Sequence, residues 1–424
     1  MTIKENTIEP ARVILVCVDT GAFDAERSVR ELEELARTAG AEVLGQVIQK
    51  RPSYDSATCI GEGKLEELAQ TVKDWEIGLV VFDSELSPNQ TRNIERILDV
   101  RVIDRTTLIL DIFAQRALSK EGKLQVELAQ QRYRLPHLAG KGIEMSRLGG
   151  GTAGGGLSGI GARGPGETKL ETDKRHIRRR IESLEAELKE LERRRGLMRE
   201  RRKKDNVLTA ALVGYTNVGK STLLNALTDA GVLVENKLFA TLDTTSRALN
   251  LPDGRTVLLI DTVGLIRRLP HELVQAFKST LEEAASADII ISLIDLSAED
   301  GFEQSEVTDK LLVELGCGNI PKINVLNKCD KVDNAEELYC DDKTAVISAK
   351  HKKGFDELLD CIARNLPETA KRGKFLIPYD KTGVINTIRI DGKVFSEEFT
   401  PNGTLIDALV DCKIFHLVEE MLCN

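Results

Sequence analysis

Lys220 and Ser221 close the run Gly214, Tyr215, Thr216, Asn217, Val218, Gly219, Lys220, Ser221, with Thr222 next, and this spacing of residue types can hold a phosphate. Glycines permit a tight turn whose backbone N–H groups face the phosphate. Lys220 can neutralise β/γ oxygens, and the Ser221 hydroxyl can hold magnesium. A second group follows in Asp261, Thr262, Val263 and Gly264, where a carboxylate can bind magnesium through water and the Gly264 N–H can approach a γ-phosphate. A third group, Asn327, Lys328 and Asp330, can read a base. The Asp330 carboxylate suits the N1–H and 2-amino group of guanine, whereas adenine would leave it unpaired at a cost of a few kcal/mol. Ser348, Ala349 and Lys350 can back that base. Four such elements in this order point to a guanine nucleotide.

Between the phosphate loop and Asp261 lies the segment Phe239 to Ser246, rich in hydroxyls, where a nucleotide switch belongs. Thr241 is the expected second magnesium ligand, with Thr244 and Thr245 as alternatives; a Thr-rich β segment leading into a hairpin at Pro252, Asp253 and Gly254 is the plainer reading. The residue after Gly264 is Leu265. Ras-like enzymes carry a water-orienting Gln there, so catalysis must recruit help from elsewhere. Asn217 is one source. Its carbonyl oxygen could help hold a monovalent cation, potassium, beside the β/γ bridge; the alternative is that it caps the loop. Lys220, Thr241, Gly264 and Asn217 are thus the candidate catalytic residues.

The elements that must position these groups are visible in the hydropathy. Leu208 to Gly214 reads as a buried strand and Lys220 to Leu227 as the start of a helix, so the phosphates meet a helix N-terminus. Thr256 to Asp261, Lys322 to Leu326 and Ala345 to Lys350 read as further strands of one sheet, and Asp288 to Asp295 as a core strand bounded by acids. With 424 residues the chain has room for about three domains. Its eight cysteines are scattered without metal-like spacing, which suits reduced cytosolic thiols. Neither a membrane-spanning window nor a signal peptide is apparent, so a cytoplasmic location is expected.

Upstream, Val13 to Val18, Glu42 to Ile48 and Gly78 to Asp83 alternate with polar helical stretches, which implies a parallel-sheet α/β domain over residues 1–110. Gly61 to Lys64 within it reads as a turn into a helix from Lys64 to Trp75, with a second phosphate loop as the alternative. Charge then separates sharply. Residues 1–110 carry 13 basic against 20 acidic side chains, 111–204 carry 23 against 13, and 205–424 carry 23 against 35. A segment of net +10 in a chain of net −9 is the footprint of a polyanion partner, or else a long solvated helix. Within it, Ile177, Ile181, Leu184, Leu188 and Leu191 form a heptad seam on a helix over about 168–203, and Leu124 with Leu128 mark another over about 120–135. Together they predict an antiparallel helical hairpin. Its tip would be the Gly-rich run 149–166, with Arg147, Arg163 and Lys169 in or beside it, suited to close approach to RNA phosphates or serving only as a slack connector.

At this point Asp104 to Ala117, Glu121 to Gln130, Arg163 to Thr168 and the nucleotide motifs resemble the HflX family of ribosome-associated GTPases over roughly residues 10–370. The resemblance implies binding to the large ribosomal subunit, a hairpin tip reaching toward the peptidyl-transferase centre, and GTP-linked splitting of stalled or stressed ribosomes. Two departures stand out. Thr152 to Gly159 is an insertion at the tip, and Thr244 replaces the proline usual in the family's switch, which loosens that segment.

After residue 369 a strand from Lys374, a short helix over Gly383 to Ile390, two strands around Pro401 to Gly403 and a closing helix predict a small C-terminal α+β domain. The full expectation is a multidomain α/β monomer with an N-terminal α/β domain (1–110), a basic antiparallel hairpin (111–204), a P-loop GTPase domain (205–368) and a C-terminal domain (369–424). It would hydrolyse GTP to GDP and phosphate with Mg2+ and K+, and contact ribosomal RNA and ribosomal proteins. A subunit-maturation or RNA-remodelling factor with a second nucleotide site in the N-terminal domain is one alternative; a signalling GTPase with a protein effector is the other.

Overall fold

A computed structural model describes residues 10–138, 165–228, 239, 245–268, 283–333 and 341–422. They fall into two compact units. The first spans Met1–Arg193 with 236–242 and 268–277, and the second Arg194–Glu235 with 243–267 and 278–424.

In the first unit, β1 (Arg12–Asp19), β2 (Glu42–Lys50), β3 (Leu79–Phe82) and β4 (Arg101–Asp104) form a parallel sheet in the order β2-β1-β3-β4. The apolar runs of β1 and β3 are buried because helices cover both faces. Ile14, Val16, Phe82, Leu65, Leu68 and Ile94 share one core. Gly61 stands at the N-cap of helix Glu62–Asp74, so the Gly61 to Lys64 segment is the turn into a helix. Two neighbouring helices are capped by their own side chains: Asp104 accepts from the Thr107 N–H, and Ser87 forms a capping box with Gln90. Four-residue β4 escapes the sequence pattern because it is too short to show a period.

Asp83, 1 % exposed at the end of β3, is the electrostatic centre of this unit. Its carboxylate accepts from Arg105 at 3.0 Å, Ser28 at 2.7 Å and Arg268 at 3.0 Å, and its backbone carbonyl takes a further Arg268 N–H at 2.7 Å. Arg268 also lies 4.2 Å above the Phe23 ring. A buried carboxylate shared by two guanidiniums persists because each charge is compensated.

Helix Lys120–Leu138 and helix Pro165–Lys204, hereafter the arm helix, meet along Leu124, Leu128 and Leu184, with Ile181, Leu188 and Leu191 packed against them. Arg180 grips Glu127 through two 2.7 Å bonds and Arg132 reaches Glu185 at 2.7 Å. The heptad seam is thus a packing stripe from Ile181 to Leu191, and Ile177 is not part of that cluster.

The second unit holds a six-stranded sheet in the order β10-β9-β8-β5-β7-β6, from β5 (Leu208–Gly214), β6 (Thr245–Asn250), β7 (Thr256–Asp261), β8 (Ile289–Asp295), β9 (Lys322–Asn327) and β10 (Thr344–Val346). All pairs are parallel except β6 with β7, which close the hairpin at Pro252 to Gly254. A separate antiparallel sheet, β11 (Ala370–Ile377), β12 (Gly392–Thr400) and β13 (Gly403–Asp411), packs Phe375, Ile377 and Ile406 on helix Thr382–Asp391 through Ile385 and Ile388. The closing helix expected after it is instead two 3-10 turns, Phe415–Leu417 and Glu419–Met421. No described helix is long and apolar enough to cross a membrane.

Candidate functional site

Every residue of β5 is buried, and the strand stops at Gly214, whose φ of +154° and position allow no side chain: a Cβ there would lie 2.6 Å from the Leu293 carbonyl oxygen. The loop then turns through Asn217 at φ +62° and Gly219 at φ +98°, and helix Lys220–Thr228 begins. Asn217 is exposed at the loop, while Tyr215, Thr216 and Val218 are buried and Ser221 and Thr222 half-buried. Backbone N–H groups at a helix start, with a lysine, make an anion site.

Lys220 is 7 % exposed and donates to the carbonyls of Gly214 at 3.0 Å and Tyr215 at 2.9 Å. Burial pulls its pKa down to about 8, with the Asp261 carboxylate acting in the opposite direction. Ser221 Oγ donates to Asp261 Oδ2 at 2.8 Å, and Asp261 is fully buried at the end of β7. A hydroxyl and a carboxylate side by side form a hard-oxygen donor pair, the set that fits magnesium. Thr241 and Thr244 lie outside the described residues. Thr245 stands opposite Asp261 in the β6–β7 register, and its buried hydroxyl has no hydrogen-bond partner among the described residues. Thr216 carries a second such hydroxyl.

Gly264 comes so near the loop that a Cβ would lie 2.8 Å from Thr216 Cγ2 and 3.1 Å from Lys220 Nζ. The next residue explains why: the Leu265 N–H donates to the Gly214 carbonyl at 3.2 Å, and the Leu265 carbonyl accepts from the Thr216 N–H at 2.8 Å. Leu265 itself is 1 % exposed and packs with Ala211, Val213, Ala284, Ala287, Ile290 and Leu312. It is therefore a core residue, turned to hydrophobic partners. Thr262 is also occupied in the scaffold, its hydroxyl donating to the Leu212 carbonyl at 2.6 Å, and Val263 is buried.

Asn327 joins the two halves of the site. Its Nδ2 donates to the Val218 carbonyl at 2.7 Å, and its Oδ1 accepts from the Ala349 N–H at 3.0 Å. Gly219 makes room for it, since a Cβ there would lie 2.4 Å from Asn327 Nδ2. Asp330 accepts from Ser348 Oγ at 2.6 Å, and this bond, opposed by slight desolvation, holds its carboxyl below the usual range. His351 Nε2 sits 3.7 Å from the other Asp330 oxygen. Lys328, at φ +66°, extends to Asp295 Oδ2 at 2.6 Å, whereas Lys350 is exposed. Asp295 and His351 are the residues that motif reading missed. The register Asp295↔Asn327 is the signal for the first: two adjacent strand ends, one acidic and one carrying a lysine.

Of the residues expected to meet RNA, Arg147 and Arg163 lie outside the described residues, and Lys169 falls in the first turns of the arm helix.

Family models described as GTP-binding GTPase N-terminal, GTP-binding GTPase middle region and 50S ribosome-binding GTPase match residues 26–114, 116–202 and 209–328. The chain is 50 % identical to GTPase HflX of Caldanaerobacter subterraneus over 97 % of this chain and 94 % of that protein. It is 48 % identical to GTPase HflX of Lacrimispora saccharolytica over 95 % and 94 %. Among solved structures, SsGBP in complex with GDP is 27 % identical, with a TM-score of 0.47 over 84 % of this chain and 98 % of that one. A nucleotide site of this build, in a chain matched by such relatives over nearly its whole length, is that of a GTP-binding, GTP-hydrolysing enzyme belonging to the HflX family.

Proposed function

We propose that this GTPase binds the large ribosomal subunit through its basic hairpin and uses the GTP-bound state to dissociate stalled or stressed ribosomes. The observation that carries the reading is the coincidence, in one chain, of a guanine-nucleotide site with a segment of net +10 over residues 111–204. The description of the family model over residues 209–328 as a 50S ribosome-binding GTPase supports it. A basic arm neutralises RNA phosphates and releases their counterions, so binding should weaken steeply with salt. Arg147, Arg163 and Lys169 are the proposed contacts, near the peptidyl-transferase centre, in a cytoplasmic monomer built of the four domains set out above.

Within the site, the loop amides and Lys220 hold the β- and γ-phosphates, Asn327 and Asp330 read guanine, and Gly264 senses the γ-phosphate. Ser221, Asp261 and Thr241 would hold magnesium, which when bound neutralises charge developing on the phosphoryl oxygens. Asn217 would hold potassium beside the β/γ bridge. Its exposed place at the loop, with Leu265 committed to the core, supports this division of labour.

Sedimentation of intact ribosomes with the protein and a non-hydrolysable GTP analogue tests the reading. Conversion to separate subunits with the analogue and not with GDP is expected; ribosomes that stay intact while binding the protein in both nucleotide states would refute splitting. Turnover in potassium against sodium tests the cation, and equal rates would remove it.

A further inference from the structure

The path from Gly264 to the arm helix runs through one buried carboxylate. Leu265, directly after Gly264, packs in the same cluster as Ala284, which is 1 % exposed. The preceding residue, Glu283, is 8 % exposed and accepts from Arg199 Nη2 at 3.1 Å and Arg199 Nε at 3.3 Å. Arg202 Nη1 lies 3.8 Å from its other oxygen. Arg199 and Arg202 stand three residues apart on the last turns of the arm helix, and that helix carries the basic segment. Beside these groups is a cavity of about 180 Å3 lined by Arg199, Arg202, Glu283, Ile260 and Asp288. Ile260 immediately precedes Asp261, so the cavity gives both side chains and strand end somewhere to move.

We propose that Glu283 is a positioning residue that couples the γ-phosphate-sensing segment to the root of the arm helix, so that ribosome contact on the arm alters GTP turnover and nucleotide state alters the arm. This rests on the ribosome-binding reading above. The physical reason is that a packed, mostly buried chain of contacts repacks between discrete arrangements rather than deforming smoothly. A shift of Gly264 acts on its chain neighbour Leu265, and Leu265 shares a buried cluster with Ala284. The Glu283 carboxylate, held by two charge-assisted bonds from Arg199, then passes the displacement to the helix. Coupling is reciprocal by linkage.

The test uses the full chain with Glu283→Gln, Arg199→Gln and the double variant, which removes both partners of the Glu283–Arg199 pair together. Three quantities are read: GTP turnover of the protein alone, cosedimentation with purified large subunits in a non-hydrolysable GTP analogue, and turnover in the presence of those subunits. Each variant is expected to keep its intrinsic turnover and its sedimentation. Subunit-stimulated kcat should fall roughly tenfold, within the 5–150-fold span of typical coupling, with KM for GTP unchanged. The double variant should lose no more than either single one, because both remove the same interaction. Full stimulation in all three variants would overturn the coupling, as would an equal loss of intrinsic and stimulated turnover, which marks a merely structural ion pair. A wild-type protein that neither sediments with the subunits nor is stimulated by them would instead overturn the ribosome reading, and the coupling with it.

Discussion

Replacing Leu265 by glutamine asks whether the water-orienting amide of Ras-like enzymes can simply be restored. The geometry says that it cannot. Leu265 is 1 % exposed among Ala211, Val213, Ala284, Ile290 and Leu312, and its backbone is fixed on both sides by bonds to Gly214 and Thr216. Removing a fully buried leucine forfeits about 1.5–3 kcal/mol of transfer free energy. Placing an amide there without partners costs about 1–3 kcal/mol more. Leu265→Gln should therefore lose about 3–5 kcal/mol of stability and gain no turnover. Leu265→Met, which conserves volume and polarity, should lose less than about 1.5 kcal/mol. Urea unfolding followed by far-ultraviolet circular dichroism, beside single-turnover GTP hydrolysis, measures both quantities. A glutamine variant that hydrolyses GTP faster with its unfolding midpoint unchanged would show that the side chain faces the nucleotide, and the reasoning would fail.

Three other perturbations follow from the same contacts. Burial brings the Lys220 pKa down to about 8 from the ordinary lysine value of 10.5, so the folded, nucleotide-free protein gives up this proton before the unfolded chain does. Its contribution to stability therefore rises with pH between those values and is lost as pH falls through 8. Phosphates beside Nζ favour the charged form, so calorimetry of GDP binding at pH 8.5 in buffers of differing ionisation enthalpy should register proton uptake, and affinity should decline as pH climbs past 8; binding without proton exchange would contradict this. Gly219→Ala forces a Cβ to 2.4 Å from Asn327 Nδ2 at a backbone φ of +98°. Fluorescent GDP should bind it roughly 5- to 150-fold more weakly, the equivalent of about 1–3 kcal/mol of strain, and unchanged affinity would count against the close packing. Asp83→Asn removes the anion that Arg105 and Arg268 share while Arg105 keeps Glu31 at 2.9 Å, so thermal unfolding should show a loss toward the lower end of about 3–5 kcal/mol; a variant as stable as the parent would mean that the network is solvated.

Much of this is legible in the amino-acid sequence, for a physical reason. Buried parallel strands such as β5 and β8 write themselves as continuous apolar runs, and the glycines at 214 and 219 mark places where backbone must come close to something. The heptad positions from Ile181 to Leu191 likewise declared a seam. What stayed hidden was whatever depends on register or on the far side of a side chain. The Lys328–Asp295 pair exists only because β8 and β9 lie side by side, and the role of Leu265 could be read as an absent amide but not as a present core contact.

That distinction bears on how the site works. Asn327 is proposed to read the base, yet its two bonds go to the Val218 carbonyl in the proposed phosphate loop and to the Ala349 N–H. The loops proposed to hold the two ends of a guanine nucleotide therefore share one buried amide, 2 % exposed. A polar group in that position strengthens in a low-dielectric setting and transmits any displacement of one loop to the other. Guanine selection and phosphate binding are then not separate additions to affinity. A wrong base that displaces the 348–350 segment also pulls on the Val218 carbonyl, so discrimination against it should show in the placement of the phosphates as well as in the affinity for the base.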